Sequence, residues 1–183
     1  IWIIAQIVLE SFPISSSGHI ALLACFYPII AMPASILAAF TYVLHMPTVF
    51  VVLLFFRKHW LSPFIHIKTC WRLILKISAY AALATMITLL SFKLSRLIPF
   101  SSISLSSGFF ITACILLSLL ICPEGNYEKL DIKKIICLSL LQSFALVPGV
   151  SRFALTFVGA RWLRISARRA FEISFLIEWP LIV

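Results

Sequence analysis

A carboxylate, a serine-rich turn and an imidazole fall within ten residues of one another near the start of the chain. They are Glu10 and Pro13-Ile-Ser-Ser-Ser-Gly-His19. A second polar knot, Pro148-Gly-Val-Ser-Arg152, stands far downstream. Apolar sequence surrounds both. Ionisable groups at membrane depth are costly and mark function by default, so the two knots read as halves of a divided site.

Each group suggests a chemistry. Gln6 and Glu10 are four apart and share one helix face. Their oxygens suit Mg²⁺ or Ca²⁺, while Glu10 alone suits a general base and the pair alone suits an interhelical hydrogen bond. Ser15, Ser16 and Ser17 offer hydroxyls and, at a helix break, free N–H groups for an anion. His19 is fit for nucleophilic attack or proton transfer near neutral pH. Arg152 has no acidic neighbour in sequence and matches phosphate in a two-pronged way; an ion pair with Glu10 is the plainer role. Together these groups suit a phosphate or diphosphate whose remainder is lipid, with arginine and turn amides holding the charge that shifts during P–O cleavage.

The elements that must position them are membrane helices. The 183 residues are 62% hydrophobic and 11% charged, against about 45–50% and about 25% in soluble domains. Net charge is +9, yet the basic residues cluster beside apolar runs at Arg57–Lys76, Lys129–Lys134 and Arg161–Arg169. That placement excludes nucleic-acid binding and marks cytoplasmic loops. No basic segment leads into an apolar run at the start, so no signal peptide is expected. The five cysteines form no metal pair or disulfide framework and are expected to be small buried hydrophobes. His45, in mid-span, reads as a packing residue. Glu172 is expected to pair with Arg168 or Arg169, and Glu178 has no partner in sequence.

Full spans are predicted at 34–56, 73–92 and 103–122, with a further helix from 170. Residues 1–33 and 134–160 each contain two short apolar runs broken at a proline, and each is predicted to be a re-entrant hairpin. Three spans between the hairpins invert one relative to the other. Gln6 precedes Ser15 by nine residues, and Gln142 precedes Ser151 by nine. The fold expected is an all-α integral membrane protein: a polytopic helical bundle with two inverted-topology repeats, each with a re-entrant hairpin. It forms one domain, 1–183, with repeat one at about 1–92 and repeat two at about 103–183.

At these residues the chain resembles the undecaprenyl-diphosphatase, or bacitracin-resistance, family. The matching stretches are Gln6-Ile-Val-Leu-Glu10, Pro13–His19, Pro148-Gly-Val-Ser-Arg152 and Ala170-Phe-Glu-Ile-Ser-Phe175. The resemblance implies a multi-pass enzyme of the bacterial inner membrane. Such an enzyme hydrolyses undecaprenyl diphosphate to the monophosphate carrier for peptidoglycan synthesis, confers bacitracin resistance and needs Mg²⁺ or Ca²⁺. It implies catalytic roles for Glu10, Ser16, His19 and Arg152. Substrate binding falls to Ser15, Ser17, Gly18, Gly149, Ser151 and Arg152, and the metal to Gln6 and Glu10. Ser16 and His19 both remain candidates for the attacking group. The expected partners are the polyprenyl diphosphate and the bilayer; a homodimer remains open.

This sequence departs from the family pattern in three ways. Phe153-Ala154 stands where Ser-Gly is usual, Pro47 where Gly is frequent, and the family's further C-terminal helices are not expected here. A prenyl-phosphate flippase and a truncated, inactive member are the alternatives.

Overall fold

The computed structural model describes residues 8–9, 12–16, 18–20, 22, 43, 46–47, 50, 54, 57, 67–95, 103–127 and 131–182. Most of the expected span 34–56, including His45, and most of the expected hairpin 1–33 lie outside the described residues. What is described is helical, joined by turns and one isolated bridge between Tyr127 and Ile165.

Helix α1, Ile67–Ser95, has 29 residues, about 43 Å at about 1.5 Å per residue. Its stretch Ile74–Ser91 is apolar and long enough to cross a membrane by length and composition, the one such helix among the described residues. The helix runs past both limits of the expected span 73–92. Main-chain hydrogen bonding ignores side-chain charge, and Arg72 and Lys93 can lay their stems along apolar surface. Helix α2, Leu105–Leu117, starts at the N-cap Ser104, whose hydroxyl accepts from the Ser107 N–H at 3.3 Å. It tightens into a 3-10 turn, Ser118–Ile121, before Pro123 ends it.

Helix α3, Ile132–Ser143, likewise tightens at Phe144–Leu146 and stops before Pro148. Helix α4, Arg152–Trp162, returns beside it, with Leu138 and Leu141 of α3 closing over Gly159. The two reach only about 18 and about 16 Å, against about 30 Å of hydrocarbon. Residues 134–160 thus form a short helical hairpin whose turn lies at 147–151. Helix α5, Ala167–Ile182, then returns antiparallel beside α4, with Phe171 and Phe175 against Phe153.

One end of the bundle gathers the basic residues. The Tyr127 N–H donates to the Arg164 carbonyl (3.1 Å) and the Ser166 N–H to the Tyr127 carbonyl (3.2 Å). These bonds tie the loop after α2 to the α4–α5 connection. Lys134 lies over the Tyr127 ring at 4.8 Å, and the Trp162 indole donates to the Ser118 hydroxyl at 3.1 Å. The clusters around 133–134 and 161–169, distant in sequence, therefore share one end.

The core joins Ala84 of α1 to Ile135 and Leu138 of α3, Ala160 of α4, and Ala170, Ile173 and Ile177 of α5. Outward positions are apolar too: Leu120 is 83%, Phe110 71% and Met86 70% exposed. Such an exterior suits hydrocarbon rather than water, and it corrects the cysteine expectation. Cys114 and Cys137 are exposed and Cys122 is half-buried, because a helix facing lipid carries small apolar residues outside as well as in.

Candidate active site

The first turn is built on Ser15, which is buried. Its hydroxyl accepts from the Gly18 N–H at 3.3 Å, and its carbonyl accepts from the His19 N–H at 3.0 Å. This is an N-cap in miniature, opening the helical turn that carries His19. The same carbonyl lies 2.7 Å from His19 Nδ1. A carbonyl can only accept, so Nδ1 carries the proton and the neutral ring keeps its lone pair on Nε2. The Ser16 side chain makes no hydrogen bond among the described residues, leaving its hydroxyl uncommitted. Gln6, Glu10 and Ser17 lie outside the described residues.

The second turn repeats the device. Ser151 is buried; its hydroxyl accepts from the Ala154 N–H at 3.1 Å, and its carbonyl from the Leu155 N–H at 3.1 Å. Gly149 enters the turn at φ +85°, a region closed to most side chains. Arg152 is the first residue of α4 and half-buried. No hydrogen bond or close ion pair engages its guanidinium among the described residues. Glu178, on α5, lies within electrostatic reach of it, which gives that acid a neighbour the sequence does not suggest. Glu172 meets its expectation, with Arg169 at 2.9 Å and Arg168 at 3.4 Å.

Both turns rest on α2. A Cβ on Gly108 would run into the Pro148 carbonyl, so the two backbones pack directly. Gly149 lies against the same stretch, close to the Phe109 N and the Gly108 Cα. On the other side, the Phe109 ring meets the His19 ring edge-on at 4.9 Å and covers Gly18 so closely that an added Cβ would sit 2.8 Å from its Cζ. Phe109 is thus touched by both turns. Sequence reasoning missed Gly108, Phe109 and Thr112, which read as ordinary span. The available signal was the Gly108-x-x-x-Thr112 spacing, a small-residue pair of the kind that lets membrane helices approach.

The amides of the second turn are only partly open. The Ser151 N–H donates to Thr112 Oγ1 at 3.0 Å, whereas those of Arg152 and Phe153 have no acceptor among the described residues. Those two first-turn amides, aligned with the start of α4, suit an anion. The departure from Ser-Gly is absorbed by packing. Phe153 is 5% exposed and sits among Phe157, Phe171 and Phe175, and Ala154 is wholly buried. Among the described residues no three acidic, histidine or cysteine side chains gather to hold a metal.

The chain matches the description "Bacitracin resistance protein BacA" over residues 2–183. It is similar to the undecaprenyl-diphosphatase of Borreliella burgdorferi strain ZS7, 31% identical, covering 98% of this chain and 70% of that one. The undecaprenyl-diphosphatases of Elusimicrobium minutum (29% identical; 94% and 67%) and of Thermoanaerobacter sp. strain X514 (27%; 93% and 65%) are also similar. No solved structure gives a significant match. By the extent of that match, the chain belongs to the bacitracin resistance protein BacA family.

Proposed function

We propose that the chain is a multi-pass membrane phosphatase of the bacterial inner membrane, hydrolysing undecaprenyl diphosphate to undecaprenyl phosphate and inorganic phosphate. Such a reaction recycles the lipid carrier for peptidoglycan synthesis and would confer bacitracin resistance. The observation that carries the reading is the meeting of the two turns on Phe109. It puts a histidine with a fixed tautomer and an uncommitted serine on one side of α2's end, and on the other an arginine with no hydrogen bond or close ion pair among the described residues, beside two open amides.

In this reading the prenyl tail lies in lipid and the diphosphate enters between the turns. Arg152 and the amides of Arg152 and Phe153 hold the phosphoryl oxygens. Ser16 Oγ or His19 Nε2 attacks the terminal phosphorus, directly or through water, and the proton of an attacking hydroxyl or water passes to His19 Nε2 or Glu10. A new bond forms to that phosphorus while its bond to the bridging oxygen breaks, and the prenyl monophosphate leaves. Water cleaves any covalent intermediate, releasing inorganic phosphate. Ser15, Ser17, Gly18, Gly149 and Ser151 would complete the substrate-binding set. Gln6 and Glu10 would hold Mg²⁺ or Ca²⁺, which would neutralise diphosphate charge. We further propose that α3–α4 is a re-entrant hairpin entering from the basic, cytoplasmic side, and that an inverted counterpart carries the first turn. The matched Ser15–Gly18 and Ser151–Ala154 caps support that symmetry.

The test is phosphate release from a prenyl diphosphate in detergent with Mg²⁺. Arg152→Ala is expected to lower the rate about 10³-fold, near the upper range for loss of one charge-stabilising donor, with the protein still monodisperse. Unchanged turnover would refute the assignment. Liposomes in which a prenyl phosphate crosses without phosphate release would instead assign a carrier.

A further inference from the structure

Among the described residues, the threonine of α2 is the helical hydroxyl that bonds the main chain of another segment; Thr88 of α1 also reaches beyond its own helix, but only to the Gln142 side chain. Thr85, Ser91, Ser139, Ser143 and Ser174 bond the carbonyl four residues back and nothing else among the described residues. That is the usual way a buried hydroxyl satisfies itself in a helix. Thr112 makes the same local contact, to the Gly108 carbonyl at 3.0 Å. It also lies 3.1 Å from the Gly149 carbonyl and accepts the Ser151 N–H at 3.0 Å. Its one proton is shared between two carbonyls, while its lone pair takes an amide. The partners at 149 and 151 flank the left-handed turn that aims Arg152. Thr112 is itself only 4% exposed.

We infer that Thr112 is a positioning residue for the reaction. From α2 it clamps the Gly149–Ser151 backbone, which sets where the Arg152 guanidinium and the open Arg152 and Phe153 amides point. This rests on the phosphatase reading for its kinetic consequence, but not for the clamp itself. Two features make the hydroxyl, rather than bulk, the operative group. The turn already packs against Gly108 without it, and Ser151 Oγ already caps α4 without it. What Thr112 adds is a partner for one buried N–H and one buried carbonyl, which otherwise must rearrange or stay unpaired. It also closes an electrostatic path. With the Ser151 N–H taken, an anion is directed to the next two amides.

A displacement of about 1 Å in catalytic groups can cost about 10²-fold in rate. The prenyl tail, held by lipid-facing surface, should bind regardless. The clamp should therefore act on the chemical step more than on substrate binding.

The experiment compares wild type, Thr112→Val and Thr112→Ser. Thr112→Val keeps the shape and removes the hydroxyl. Steady-state phosphate release from a prenyl diphosphate should show kcat lowered about 10- to 100-fold with KM within about threefold. Thr112→Ser should recover kcat to within about threefold of wild type. In parallel, hydrogen exchange at the Ser151 amide should quicken in Thr112→Val and revert in Thr112→Ser. Unchanged kcat in folded Thr112→Val, or slow Ser151 exchange in that variant, overturns the inference. If Thr112→Val does not fold, Thr112→Ala with the same two readouts takes its place. A wild-type protein that releases no phosphate refutes the phosphatase reading instead, and the exchange measurement then decides the clamp alone.

Discussion

The two polar turns are built alike and buried differently. In each, a serine caps the amide three residues on: Ser15 to Gly18, Ser151 to Ala154. Each leans on the first half of α2. In the first turn, however, the residue three past the serine is a glycine under an aromatic ring, with an imidazole beside it. In the second, the glycine lies two before the serine, and the residues after Arg152 turn away into a phenylalanine cluster. The first turn thus presents reactive side chains, and the second presents a charge and backbone amides. The difference also shows that Phe153-Ala154 is part of the α4–α5 packing. The departure from the usual Ser-Gly changes what holds the turn from behind more than what faces the site.

Substitutions can break or sharpen that contrast. After the Arg152→Ala loss, the largest effect is expected from His19→Asn. Asparagine can keep the donor to the Ser15 carbonyl but has nothing at the Nε2 position. Phosphate release should fall about 10²-fold or more, within the range for a general base; retained turnover would reduce His19 to a structural residue. Next, Gly108→Val pushes a side chain into the Pro148 carbonyl. Turnover should fall tens- to a hundredfold, while Ala113→Val, on the exposed side of α2, should change little. A smaller effect on activity follows from Phe153→Ser, which restores the family hydroxyl but empties an aromatic core. It should cost about 2–4 kcal/mol of stability, read as a lower melting temperature. Turnover per folded molecule should not rise; a gain of tenfold would mean that the hydroxyl belongs in the site after all. Smallest of all, Arg168→Ala removes the more exposed partner of Glu172 and should cost under about 0.5 kcal/mol, since Arg169 remains at 2.9 Å.

Much of this was legible in the sequence because the polar knots stand out against apolar surroundings. Pro148-Gly149 marked a real turn, and the runs 103–122 and 134–160 fell close to α2 and to the α3–α4 hairpin. Charged residues misled at the edges, where Arg72 and Lys93 seemed to end a span that the main chain carries on to Ile67 and Ser95. What pattern alone did not reveal was the role of α2. Gly108, Phe109 and Thr112 look like span residues until the fold places two distant turns upon them. Long-range pairing of that kind has no local signature beyond the small-residue spacing. The Arg152–Glu178 proximity was hidden for the same reason, since only the antiparallel return of α5 beside α4 brings them near.

The central claim is that both turns serve one site, and a double-mutant cycle measures it most directly. His19→Asn, Arg152→Lys and the double variant should be compared for phosphate release from a prenyl diphosphate, each verified as folded. If the turns act on one phosphoryl group, their losses are not independent. With each single variant lowered about 10²-fold, the double should stay within about tenfold of the weaker single. A double variant lowered by the full product, about 10⁴-fold, would show two groups acting independently and contradict the shared site.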